Sequence, residues 1–169
     1  RPNNGTAANA SNVGVNDFSG SLSQQWYVVN HGNGLYSIRS NLNRSYYLDV
    51  DGGQDTNERN VQIYADSSRR FRIRWDGNTV FTSITPSFSN TKALDVYGGE
   101  DASRYNTNVQ IYRYNRGGNQ TWEFEEVPAD KPFNSNYPYW GMGARTGTEA
   151  SNWYYTLLST YSYVLRHEV

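Results

Sequence analysis

The chain has 169 residues, with 15 Lys+Arg against 16 Asp+Glu and a formal net charge of −1. That is one domain of ordinary size, or one domain with an appendage, and it can bury a core without cross-links. With no cysteine, thiol catalysis, Cys-ligated zinc, iron–sulfur clusters and disulfides are excluded. The even charge argues against a nucleic-acid partner, and no apolar run nears the roughly 18 residues of a membrane helix.

No secretory signal opens the sequence, so any leader or preceding segment is expected to lie before Arg1. Only 36% of residues are hydrophobic, yet 15% are aromatic. Disordered chains are poor in aromatics, so the low hydrophobicity points instead to short strands joined by Gly, Asn and Asp turns.

In chain order, Asn12-Val13-Gly14-Val15-Asn16 comes first, then Gln24-Gln25-Trp26. Tyr27-Val28-Val29 and Leu35-Tyr36-Ser37-Ile38-Arg39 alternate as strands do. Leu48-Asp49-Val50 leads through Asp51-Gly52-Gly53-Gln54-Asp55 to Asn60-Val61-Gln62-Ile63-Tyr64. Arg69-Arg70-Phe71 precedes the strand-like Arg72-Ile73-Arg74-Trp75 and Val80-Phe81-Thr82-Ser83-Ile84. Leu94-Asp95-Val96 leads through Tyr97-Gly98-Gly99-Glu100-Asp101 to Asn108-Val109-Gln110-Ile111-Tyr112. Gln120-Thr121-Trp122 and Glu123-Phe124-Glu125-Glu126-Val127 close the series.

These are three copies of one unit. Val13, Val61 and Val109 stand 48 residues apart, and Q-x-W recurs at Trp26 and Trp122 with Arg69-Arg70-Phe71 as its degenerate middle copy. A unit of about four short strands cannot bury its own apolar face, whereas three copies about an axis can. Trp26 and Trp122 are expected in the shared core, with the preceding Gln fixing a turn.

The LDV, VQIY and Q-x-W motifs resemble the ricin B-chain-like lectin family over residues 1 to about 127. The resemblance implies an all-β fold, a β-trefoil with three QxW-type repeats of about 48 residues. It implies a carbohydrate-binding module without catalysis, needing no cofactor or metal, secreted or associated with the cell surface. Its partners would be glycans, galactose or N-acetylgalactosamine types above all. Two other readings stay open: a glycan-targeting fragment of a larger secreted toxin or glycoside hydrolase, and a protein-interaction trefoil whose sugar sites have lapsed.

By the same resemblance each repeat holds one shallow site. The Asp of LDV bonds sugar hydroxyls, the aromatic ending the VQIY strand stacks on the ring, and amides complete the set. The third repeat has all of these: Asp95, Gln110, Tyr112, Asn119 and Gln120. Asp95 is expected on the rim of a groove, pointing to solvent. The second repeat keeps Asp49, Gln62 and Tyr64, but Ser68 and Arg69 replace the Asn-Gln pair, so it is the weaker site. Gly14 and Asn16 leave the first repeat without one. Alternatively, Asp49 and Asp95 only cap turns and the tyrosines only pack. Asn119-Gln120-Thr121 is also an N-glycosylation acceptor, and a glycan there would block the site, so a bacterial or otherwise unglycosylated origin is expected.

Signals for an enzyme are weak. His31 and His167 are the only histidines, and Gly141-Met142-Gly143 does not follow an apolar strand. Glu123, Glu125 and Glu126 are expected to be solvated charges at a strand end.

Residues 128–169 form an aromatic-rich tail of unassigned role, suited to a neighbouring domain or partner surface. Its stretch Thr156 to Leu165 lacks Gly and Pro, so helix and strand are both open. The first repeat lacks its opening strands and its LDV, and either upstream residues or the tail must supply them. Laying Trp153–Val169 on Gly34–Val50 puts Ser159 on Ser40 and Val169 on Val50.

Overall fold

The computed structural model describes residues 6–75, 81–99, 107–127 and 161–167. The strands are β1 (Ser11–Asn12), β2 (Gly14–Val15), β3 (Trp26–Asn30), β4 (Leu35–Ser40), β5 (Tyr47–Val50) and β6 (Arg59–Tyr64). They continue with β7 (Phe71–Trp75), β8 (Thr82–Pro86), β9 (Lys92–Val96), β10 (Thr107–Arg113), β11 (Trp122–Glu126) and β12 (Tyr161–His167).

Among the described residues six strands close a ring. β3 pairs with β4, β4 with β7, β7 with β8, β8 with β11, β11 with β12, and β12 with β3, all antiparallel. Closure removes the sheet edges that would otherwise recruit other chains. β6 pairs with β10 and β1, and β10 with β2. The β5–β6 and β9–β10 hairpins and the β1–β2 arm thus surround one axis, and the architecture is the expected all-β trefoil.

Alternation along the ring strands aims Val28, Ile38, Phe71, Ile73, Ile84 and Phe124 into one core with Trp26 and Trp122, which are 5% and 4% exposed. Burying side chains of this size stabilises the fold by roughly 1.5–3 kcal/mol each. The Gln of Q-x-W fixes a turn. Gln120 Oε1 accepts from the Asn115 amide at 2.8 Å while its Nε2 donates to the Arg113 carbonyl at 3.0 Å. Gln24 repeats this with the Ser19 amide and the Asp17 carbonyl.

The 48-residue step also places three asparagines on the axis. Asn12 Nδ2 donates to Asn108 Oδ1 at 2.7 Å, Asn108 Nδ2 to Asn60 Oδ1 at 2.9 Å, and Asn60 Nδ2 to Asn12 Oδ1 at 2.7 Å. Each amide donates once and accepts once, and the ring closes above buried Val13, Val61 and Val109.

β12 sits where β4 and β8 sit in the other repeats. Trp122 faces His167 across β11–β12 as Trp26 faces Ser40 across β3–β4. His167, rather than Ser159, therefore takes the place of Ser40, and the alignment of Trp153–Val169 on Gly34–Val50 is not the register. The side chains that face inward set it: Tyr163 meets the Phe124 ring edge-on at 5.7 Å, and Leu165 packs against the same core. Over 161–167 the tail is strand. Ser159, Val169, the Gly141-Met142-Gly143 pattern, Glu100 and Asp101 lie outside the described residues.

Two acids differ from expectation. Glu123 is 8% exposed and Glu125 2%. They occupy the outer face of β11, alternating with core Trp122 and Phe124, and β12 brings Arg166 against Glu125 as an ion pair. Burial drives both carboxyls upward, Glu125 to about 6, even though Arg166 pulls the other way.

Candidate functional site

The third-repeat residues meet at the β9–β10 hairpin. Asp95 and Gln110 are cross-strand partners, so their side chains share a face. Gly98 and Gly99, at φ 101° and 68°, then turn the chain away from β9, a conformation only glycine adopts without strain. The turn before β11, pinned by Gln120, carries Asn119 and Gln120 back to Asp95.

Four of the five expected residues form one polar cluster. Gln110 Nε2 donates to Asp95 Oδ1 at 3.0 Å. Asn119 Nδ2 and Gln120 Nε2 both donate to Asp95 Oδ2 at 2.9 Å, and Asn119 Nδ2 also reaches the Val96 carbonyl at 3.1 Å. Asp95 thus anchors side-chain amides and does not merely cap a turn. Tyr112 stands two residues beyond Gln110 on the same face and is 36% exposed.

The expectation of a solvent-pointing Asp95 is corrected. Its side chain is 5% exposed, because three amides converge on it from β10 and the following turn. Burial raises its pKa, and the bonds from Gln110, Gln120 and Asn119 oppose that rise. A carboxylate has about four acceptor positions. Oδ1 takes one amide and Oδ2 takes two, so the remaining capacity is greater at Oδ1.

The second repeat has the same frame with a different occupant. Asp49 pairs across the hairpin with Gln62, whose Nε2 donates to Oδ2 at 2.8 Å. Arg69 stands in the place of Gln120, and its Nε lies against Asp49 Oδ1 as an ion pair. Ser68 turns away, donating from its amide and hydroxyl to Asp66. Tyr64 is 39% exposed, but the carboxylate beside it is neutralised. In the first repeat Gly14 lies in β2 opposite Asn108 and offers no side chain.

One residue escaped the sequence reading. Tyr97 is 60% exposed and follows Asp95 by two, and its amide continues the hairpin by donating to the Asn108 carbonyl at 3.0 Å. Tyr97 and Tyr112 therefore flank Asp95 along one face. The available signal was an aromatic directly after LDV, where the second repeat has Asp51.

A designed three-fold symmetric protein, ThreeFoil, superposes with a TM-score of 0.66 at 29% identity, covering 72% of this chain and 86% of that one. The Macrolepiota procera ricin B-like lectin, solved in complex with lactose, superposes with a TM-score of 0.59 at 23% identity, covering 66% and 77%. That second likeness bears on the fold alone. No curated protein matches the chain. The model of the ricin-type beta-trefoil lectin domain-like family matches residues 2–64 and 22–112. Together with the six-strand ring, the axial asparagines and the repeated Asp–Gln pairs, this match places the chain in the ricin-type β-trefoil lectin-like family.

Proposed function

We propose that the chain is a non-catalytic carbohydrate-binding module that takes a galactose-type sugar in its third repeat. The observation that carries this is the contrast between two aspartates. Asp95 is held by neutral amides beside exposed Tyr112, while Asp49 in the same position is neutralised by Arg69.

The chemistry follows from the donor set. A sugar hydroxyl donates to Asp95 Oδ1 as a charge-assisted bond. The amide oxygens of Asn119 and Gln110 accept further hydroxyl protons, and Tyr112 covers an apolar C–H face of the ring. In galactose the axial 4-hydroxyl leaves one face apolar, which suits a single stacking aromatic. The Macrolepiota procera lectin of like fold was solved with lactose, a galactoside, which makes lactose the first sugar to try. With one such site, monosaccharide affinity falls in the high-micromolar to millimolar range. Such a module works where glycans are displayed, as a secreted or surface protein or as the targeting part of a larger toxin or hydrolase.

A glycan array followed by titration with lactose tests the reading. Binding to terminal galactose with a stoichiometry of one per chain is expected. An array showing no glycan above background would overturn it in favour of a protein-binding trefoil.

A further inference from the structure

Away from the third-repeat hairpin, β7 carries arginine at each outward position. Arg72 and Arg74, with Arg70 just before the strand, alternate with Phe71 and Ile73, which enter the core. The partner strand offers them hydroxyls: Thr85 lies opposite Arg72 and Ser83 opposite Arg74. Arg70 Nη1 donates to the Ser67 and Arg69 carbonyls and Arg72 Nη1 to the Ser87 carbonyl. These bonds orient two of the guanidiniums without cancelling their charge, and among the described residues none of the three arginines has an ion pair. Successive outward side chains on a strand lie only about 7 Å apart, so the ladder concentrates positive charge in a chain whose net charge is −1.

The ladder runs into a groove of about 350 Å³, lined by Arg74, Ser83, Thr85, Lys92 and Arg116 among others and, among the described residues, by no Asp or Glu. Asp55 holds Lys92 Nζ at 3.0 Å and offsets its charge, so Arg74 is the cation on which the groove's charge rests. Trp75 also lines the groove, and its indole N–H is buried without an acceptor among the described residues. An unmet buried donor favours any ligand that brings an acceptor.

We propose that the β7 arginine ladder and this groove form a second binding site, for a saccharide chain bearing anionic groups, either sulfates or uronic-acid carboxylates. Guanidinium forks pair bidentately with such oxyanions. Hydroxyls and an indole line the groove, as suits a sugar ring, and its volume matches a ring rather than a duplex. A nucleic-acid reader would carry a basic excess that this chain lacks. The site shares no residue with the Asp95 cluster, so it stands or falls independently of the galactose reading.

The test is titration of the full chain with a heparin tetrasaccharide, with trigalacturonate, with neutral cellotetraose and with a single-stranded oligonucleotide of matching charge. We expect one or both acidic saccharides to bind, and which one binds identifies the anionic group. Affinity should fall about tenfold or more between low and physiological salt, as ion-pair screening requires. Arg74→Gln, at an exposed position, should weaken binding about tenfold, and Arg74→Glu further, with unchanged circular dichroism. Tyr112→Ala should leave acidic-saccharide binding intact while weakening lactose binding about tenfold. Cellotetraose binding as tightly as the acidic saccharides, the oligonucleotide binding more tightly than either, or unchanged affinity in Arg74→Glu would each overturn the proposal.

Discussion

The Arg69 guanidinium lies against the Asp49 carboxylate, in the position from which Gln120 reaches Asp95 one repeat later. A cation there consumes the negative charge that a sugar hydroxyl would otherwise meet. A neutral amide leaves the charge in place and only orients it. Converting Ser68→Asn together with Arg69→Gln should therefore open a second site, seen as a lactose stoichiometry rising from one to two. A stoichiometry that stays at one would mean that the loop from Tyr64 to Arg69, shorter than its counterpart from Tyr112 to Gln120, closes the site rather than its charge.

Asp95→Ala should lose both sugar binding and stability. It removes the acceptor for three amide donors, and unmet buried donors cost about 1–3 kcal/mol each before relaxation. Tyr112→Ala should lose binding alone, by about 1–2 kcal/mol, with stability changed by roughly 0.5 kcal/mol or less at this exposed position. Trp122→Ala should cost about 3–5 kcal/mol as a buried truncation. Denaturant melts and lactose titrations of the three variants separate these effects. An Asp95→Ala variant as stable as wild type would show that its amides find other partners.

Periodicity made part of this legible in the sequence. Val13, Val61 and Val109 repeat because the axis demands the same packing three times, and the Asp–Gln pairs follow from the LDV and VQIY motifs. Exposure was not legible. Asp95 and Glu125 look like surface acids in the sequence, and only the chain segments folded over them decide otherwise. β12 was the hardest element: it has none of the repeat motifs, and its register depends on Tyr163 and Leu165 fitting a core assembled from distant strands. Arg69 was visible as a departure from the pattern, but its reach to Asp49 was not.

The raised carboxyls set a pH dependence. Burial lifts Glu125 from 4.5 to about 6, and Glu123 and Asp95 move in the same direction. A folded-state pKa above the unfolded value means that the native state binds the proton more tightly, so the stability it contributes is full below pH 4.5 and lost as pH rises through about 6. For Glu125 that loss is about 2 kcal/mol. Asp55 and Asp66 act oppositely, because bonds from Lys92 and Ser68 hold them below 3.8 and their contribution is lost only in stronger acid. Denaturant midpoints measured from pH 4 to 7 should fall across that window in wild type and be flatter in Glu125→Gln. Parallel curves for the two proteins would remove Glu125 as the cause.

The axial asparagine ring should behave as a unit. Removing any one member, as in Asn60→Ala, leaves the Asn12 acceptor and the Asn108 donor without their partners, so one substitution disturbs two bonds. The amides are only part-buried and water can take up some of the loss, which puts the single cost at about 1 kcal/mol. A second substitution breaks only the bond that remains, and a third removes an amide with no partner left in the ring. The costs of Asn12→Ala, Asn60→Ala and Asn108→Ala should therefore sum to more than the cost of the triple variant, with pairwise couplings of about 0.5–1 kcal/mol. Urea melts of the singles, doubles and triple measure this. Strict additivity would show that the three amides act as separate solvated side chains and that the ring contributes nothing as a ring.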